Sequence, residues 1–237
     1  MAPFATLHTT PNFLNARIAK TLAAASINNL TLTIPSDFIM GTTNKSPEYL
    51  AKFPMGKIPA LETPSGFRLT EATAISFYIA DSGPKREQLL GRTPEERALV
   101  HMWVGLSDTE IFPNLGAVLT PMLGRGEYVK KTVEEKEAAL MRALRRIELH
   151  LKGDGEGRKW LLDGEELSLA DLSVAGSMLW VFKYLLDQEA REEFPETVAW
   201  YRRVLAVEGV EEAFGGPPVF CEVRLPPFPE NGEQVAV

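Results

Sequence analysis

The residues best suited to chemistry lie in two short runs, Gly56-Lys57-Ile58-Pro59-Ala60-Leu61 and Leu69-Thr70-Glu71-Ala72. A cis bond before Pro59 would turn the amide and carbonyl of Ile58 away from a neighbouring strand. That leaves a backbone edge to which an extended peptide can pair, as in strand addition. Glu71 opens a helix, so its carboxylate and the first helical amides would meet the charged far end of such a peptide. The expected chemistry is recognition of a short, charged, extended ligand.

The elements around these runs follow from periodicity. Residues 5–8 and 30–34 read as strands, and Leu14, Ile18, Leu22 and Ala25 between them recur at helical spacing, predicting a β-α-β unit with parallel strands. Ser46-Pro47 starts a helix that stops before Pro54. Thr63-Pro64-Ser65-Gly66 fits a type I turn between antiparallel strands, and a helix runs from about Glu71 to Ala80. The spacing predicts an α/β unit over residues 1–83, a linker over 84–92, an all-helical unit over 93–220 and a Pro-rich tail over 221–237.

In the helical unit, Thr93-Pro94-Glu95-Glu96 reads as a capping box leading into an apolar face of Leu99, Met102, Trp103 and Leu106. Gly124-Arg125-Gly126 breaks the pattern; Thr132 and Glu135 then read as the cap of a helix ending at Gly153. Ser168-Leu169-Ala170-Asp171 is a second capping box, opening the most apolar helix. A last helix spans about Glu196 to Val207. The glycines of residues 153–157 follow a helix rather than a strand, which excludes a phosphate cradle, and Asp163-Gly164 lacks the spaced carboxylates of a calcium loop.

A net charge of −7 with no dense Lys/Arg face argues against nucleic acid. The single cysteine, Cys221, permits neither an internal disulfide nor a Cys-x-x-Cys pair, and His8, His101 and His150 are too scattered for a metal site. No signal-like N-terminus is present, and no apolar run approaches the roughly 18 residues of a membrane span. A soluble, cytoplasmic protein is expected.

Residues 43–50, Lys52-Phe53-Pro54, Gly56 to Ala60, Leu69 to Ala72 and Leu167 to Asp171 together resemble the cytosolic glutathione transferases. They are most similar to the transferase-like region of the elongation factor 1B gamma subunit, and the likeness covers about residues 5–220. It implies a thioredoxin-like N-terminal domain, an all-α C-terminal domain, glutathione as ligand and a homodimer. Two departures stand out. Most transferases carry Glu-Ser where this chain has Glu71-Ala72, although the Ala72 amide can still donate; and the translation members continue into a Lys-rich linker and a further domain not seen before Val237.

The resemblance also assigns roles. Ile58, Pro59, Glu71 and Ala72 would hold glutathione, with Lys57 and more weakly Lys45 at its glycyl carboxylate, and Asp108 reaching across a dimer two-fold to the γ-glutamyl amine. Lowering a thiol pKa by two units from about 8.5 takes about 2.7 kcal/mol, within reach of one or two hydrogen bonds to the anion. The loop after the first strand has no Tyr or Cys, so the donor would be Thr10, Asn12 or Asn15, each of which could instead merely cap the next helix. A small electrophile would lie against the helix carrying Trp103, Ser107 and Phe112. The activity implied is conjugation, or thiolate addition and elimination that isomerises a conjugated double bond, as in fungal secondary-metabolite biosynthesis. The alternatives are a non-catalytic scaffold in translation and a glutathione-binding protein with little turnover.

Overall fold

The computed structural model describes residues 2–11, 13–155 and 157–227. Its first half runs β1 (Ala5–His8), α1 (Ala16–Ile27), β2 (Leu32–Thr33), α2 (Pro47–Lys52), β3 (Ala60–Glu62), β4 (Arg68–Thr70) and α3 (Ala72–Asp81). The sheet order is β2-β1-β3-β4, with β1 and β2 parallel and the other pairs antiparallel. A parallel pair needs a crossover, and the Ala-rich α1 supplies it. The expected second strand shrinks to Leu32–Thr33. The turn after β3 forms as read: the Gly66 amide donates to the Thr63 carbonyl at 2.9 Å, with Gly66 at φ +84.

The second half is helical: α4 (Arg86–Leu90), α5 (Pro94–Leu106), α6 (Phe112–Met122), α7 (Lys130–Lys152), α8 (Leu169–Tyr184), α9 (Gln188–Arg191), α10 (Pro195–Leu205) and α11 (Val210–Ala213). Helices α5 and α6 form one rod, widened into a π turn over Ser107–Ile111, where the Phe112 amide donates to the Ser107 carbonyl. Pro113 has no N–H to continue the ordinary ladder, which accounts for the bulge at this point. Helix α8, buried along nearly its whole length, is the axis of the core. A Cβ on Gly176 would stand 3.1 Å from the Ala16 carbonyl, so glycine lets the start of α1 approach α8 closely. One apolar cluster runs from Leu7 and Ile18 through to Val174 and Trp200, fusing the two halves.

Four expectations need correction. The predicted linker holds α4, anchored by the buried Leu89. Thr132 lies inside α7, whose cap is Val129. On α5 the buried residues are Val100, Trp103 and Val104, while Leu99 and Met102 are about two-fifths exposed, so the inward face is rotated from the one read. The first residues of the expected tail are docked: the Cys221 and Leu225 amides donate to the Phe182 and Tyr184 carbonyls at the end of α8. Residues 228–237 lie outside the described residues.

The Asp171 box forms and exceeds its expected role. Its carboxylate accepts from the Ser168 amide and hydroxyl, the Leu161 amide and the Trp200 indole, all at 2.8–2.9 Å and fully buried.

Candidate functional site

Strand register gathers the site. His8, Ala60 and Thr70 stand opposite one another across β1, β3 and β4. Thr10 just past β1, Ile58-Pro59 just before β3 and Glu71 just after β4 therefore emerge at one end of the sheet. The Ile58–Pro59 bond is cis, and the β3 ladder begins only at Ala60, leaving Ile58 outside it.

Two side chains not foreseen from sequence hold the loop before Pro59. Buried Asn44 accepts from the Gly41 amide and donates to the Gly56 carbonyl at 2.7 Å, and the Tyr49 hydroxyl donates to the Lys57 carbonyl at 2.9 Å. Burial pushes the Tyr49 phenol up to about 12, so it stays a donor at neutral pH. Tyr49, Phe38, Phe53 and the His8 ring pack beneath the loop as a small aromatic core. Gly56 sits at φ +58, and a Cβ there would meet the Asn44 carbonyl at 2.9 Å and the Lys45 ammonium at 3.4 Å. Lys45 is thus beside the loop, and both Lys45 and Lys57 are exposed, without an acidic partner among the described residues.

Glu71 has φ +67, a left-handed conformation rare for a side chain of its size. Its carboxylate is exposed and caps nothing. The first ladder bond of α3 is from the Ile75 amide to the Glu71 carbonyl, so among the described residues the amides of Ala72, Thr73 and Ala74 have no acceptor. Three free amides at a helix N-terminus suit a carboxylate, and the adjoining Glu71 suits an ammonium. The residues present fit the two charges at the γ-glutamyl end of glutathione.

Behind α3 lies a contact that sequence reasoning missed. Lys20 on α1 is almost wholly buried, its ammonium 3.1 Å from the Thr73 hydroxyl and 3.4 Å from the Asp108 carboxylate on the π turn. The Thr73 hydroxyl donates to the other Asp108 oxygen. Burial lowers the Lys20 pKa, opposed by Asp108. Both Asp108 oxygens are thus engaged within their own chain. The only hint in the sequence was a lysine among the apolar residues of α1.

The loop after β1 meets the second half of the molecule. Thr10 is half-buried, with no hydrogen bond among the described residues. Asn15 caps α1, its side-chain oxygen accepting from the Arg17 amide at 3.0 Å; among the described residues its amide group has no acceptor. Asn12 lies outside the described residues. Next to Asn15 opens a cleft of about 440 Å³ between α1, α6 and α8, lined among others by Arg17, Phe112, Leu119, Trp180 and Tyr184. Phe112 lines it. Trp103 and Ser107 do not: both are fully buried, Trp103 against His150 and Ser107 donating to the Ser173 carbonyl. Helical spacing gave their face of the rod but not which side of it was core.

A thioredoxin-like half presenting a cis-proline edge and a free helix N-terminus, fused to a helical half across a cleft, defines the class of the glutathione transferases. The chain belongs to the glutathione S-transferase family: residues 6–81 match the model of its N-terminal domain and residues 111–208 that of its C-terminal domain. It is 46% identical to a glutathione S-transferase-like protein of Aspergillus aculeatus, over 86% of this chain and 94% of that one. It is 36% identical to elongation factor 1-gamma of Equus caballus, over 83% of this chain but only 43% of that longer protein. Among solved structures it is similar to the transferase URE2P6 of Phanerochaete chrysosporium, in complex with oxidized glutathione, at a TM-score of 0.78 and 23% identity, covering 90% of this chain and 96% of that one. No helix among the described residues is long and apolar enough to cross a membrane.

Proposed function

We propose that this protein binds glutathione on the cis-proline edge and delivers its thiolate to a small electrophile in the adjoining cleft. The observation that carries this reading is the convergence of Ile58, the free α3 amides and Glu71 at one end of the sheet, beside a 440 Å³ cleft. Ile58 pairs with the cysteinyl backbone, Glu71 takes the γ-glutamyl amine, and the Ala72 amide takes the adjoining carboxylate. Lys45 and Lys57 attract the glycyl carboxylate. The thiolate donor is Thr10, Asn12 or Asn15, supplying the hydrogen bond that lowers the thiol pKa. Conjugation forms a thioether; addition followed by elimination isomerises an activated double bond and returns glutathione. The Aspergillus relative, matched over 94% of its own length, supports the transferase reading, and with it we propose a place in fungal secondary metabolism.

A homodimer is supported by large apolar groups left exposed, Leu99 and Met102 on α5 and Phe67 in the turn before β4. A cytoplasmic setting accords with a single unpaired cysteine. The second reading, a non-catalytic scaffold like the elongation factor gamma subunit, is favoured by the 36% relative. Calorimetry with glutathione, then thioether formation with a panel of enones, decides between them. Binding followed by turnover supports the enzyme. Absence of binding at millimolar glutathione overturns it in favour of the scaffold.

A further inference from the structure

The electrophile cleft has a chemical character of its own. One wall is an aromatic run: Phe13 stacks on Trp180 with ring centres 6.2 Å apart, and Trp180 on Tyr184 at 5.8 Å. Opposite stands Phe112, with the Arg17 guanidinium 4.5 Å above its ring, and Arg125 closes the rim beyond α6. Among the described residues no aspartate or glutamate lines the cleft. Among the described residues neither guanidinium has a carboxylate or carbonyl partner, in a chain whose net charge is −7. Free guanidinium groups at the mouth of a cleft, here both exposed, favour planar anions, which they grip by two parallel hydrogen bonds. Flat aromatic walls select flat conjugated ligands.

We infer that the electrophile, on the transferase reading above, is a planar conjugated carbonyl compound carrying a carboxylate, its plane against Trp180 and Tyr184 and its acid group on Arg17 and Arg125. The step expected of such a substrate balances without an oxidant. The glutathione sulfur bonds to the β-carbon as the C=C π bond breaks, the electron pair passes to the carbonyl oxygen as an enolate, and water supplies the proton to the α-carbon.

Ethacrynic acid and its methyl ester share one enone and differ at the acid group alone, an anion in one and a neutral ester in the other, so they are the probes. Calorimetry without glutathione should show the acid binding about ten-fold tighter than the ester, the equivalent of one charge-assisted hydrogen bond. With glutathione, kcat/KM should favour the acid by a similar factor. R17Q and R125Q should each move both ratios towards one; Arg125 is the cleaner test, because Arg17 also bears on the charge of Lys20. Circular dichroism confirms that these exposed-site variants fold. Equal binding of acid and ester, or a preference unchanged in both variants, overturns the inference. An acid preference in binding without any thioether formed upholds it, and the transferase reading alone then fails.

Discussion

The Lys20 ammonium and the Asp108 carboxylate, 88 residues apart in the chain, stand 3.4 Å apart between α1 and the π turn, with the Thr73 hydroxyl bonded to both. This ties the first turn of α3, which carries the free amides, to the helical half. Removing one member of a buried pair strands the other, at about 3–5 kcal/mol when burial is complete. Asp108 is 26% exposed, so D108A should destabilise by less, about 2–3 kcal/mol. Urea unfolding measures it. A variant as stable as the parent would show that water replaces the carboxylate at no cost.

Glu71 and Ala72 separate charge from geometry. E71A should weaken glutathione binding by about 1.5–3 kcal/mol, the range for a hydrogen bond to a charged group. It also relieves nothing at φ +67, since alanine is no freer there than glutamate. A72S should bind equally or slightly more tightly, because it adds the hydroxyl most transferases carry. Isothermal titration reads both, and full affinity in E71A would remove Glu71 from the site.

Asp171 should be far less replaceable than an exposed cap. D171A leaves the Ser168 and Leu161 amides and the Trp200 indole buried without an acceptor. Each costs about 1–3 kcal/mol, so the loss should exceed about 3 kcal/mol. S168A leaves three of the four donors in place and should cost about 0.5–2 kcal/mol. Thermal melts that rank the two the other way would mean the network is not carried by the carboxylate.

The pieces legible in the sequence were those whose chemistry is local. Pro59 after Gly56-Lys57-Ile58, Glu71 at a strand-to-helix junction and the Ser168–Asp171 box each show themselves within a few residues. The Lys20–Asp108 contact does not, since nothing in either neighbourhood points to the other. Trp103 was misplaced for a different reason. Period 3.6 finds a stripe on α5, but Leu99 and Trp103 lie on it together while tertiary packing buries only the second. Nothing local marks Arg17 or Arg125 for a site; only the packing of α1, α6 and α8 brings them to one cleft.

Acid should weaken the fold through its histidines. Burial lowers the pKa of His8, packed on Tyr49 and Phe53, and likewise that of His150 against Trp103. A folded-state value below the unfolded 6.5 means the unfolded chain takes up protons first as pH falls. The contribution is therefore complete above about pH 6.5 and is lost as the pH falls below it towards the folded values. H8F keeps an aromatic ring in the small core and should flatten part of that slope. Melting temperatures at about pH 7.5 and about pH 5.5 should differ less for H8F than for the parent; identical slopes would show that His8 is solvated in the fold.

The loop after β1 should control ionisation rather than affinity. A hydrogen bond from Thr10 or Asn15 to the bound sulfur favours the thiolate, and Asn15 can donate through the amide group its cap leaves free. T10V keeps the shape of the side chain and removes the hydroxyl, and N15D keeps the cap acceptor and removes the donor. If Thr10 is the donor, T10V raises the apparent pKa of the bound thiol by about one to two units, equivalent to about 1.5–3 kcal/mol, while the glutathione dissociation constant at low pH is nearly unchanged. N15D behaves the same way if the donor is Asn15. Thiolate absorbance followed through a pH titration distinguishes the two, with calorimetry as the control. An unshifted titration in both variants would exclude both residues and leave Asn12 as the donor of the loop.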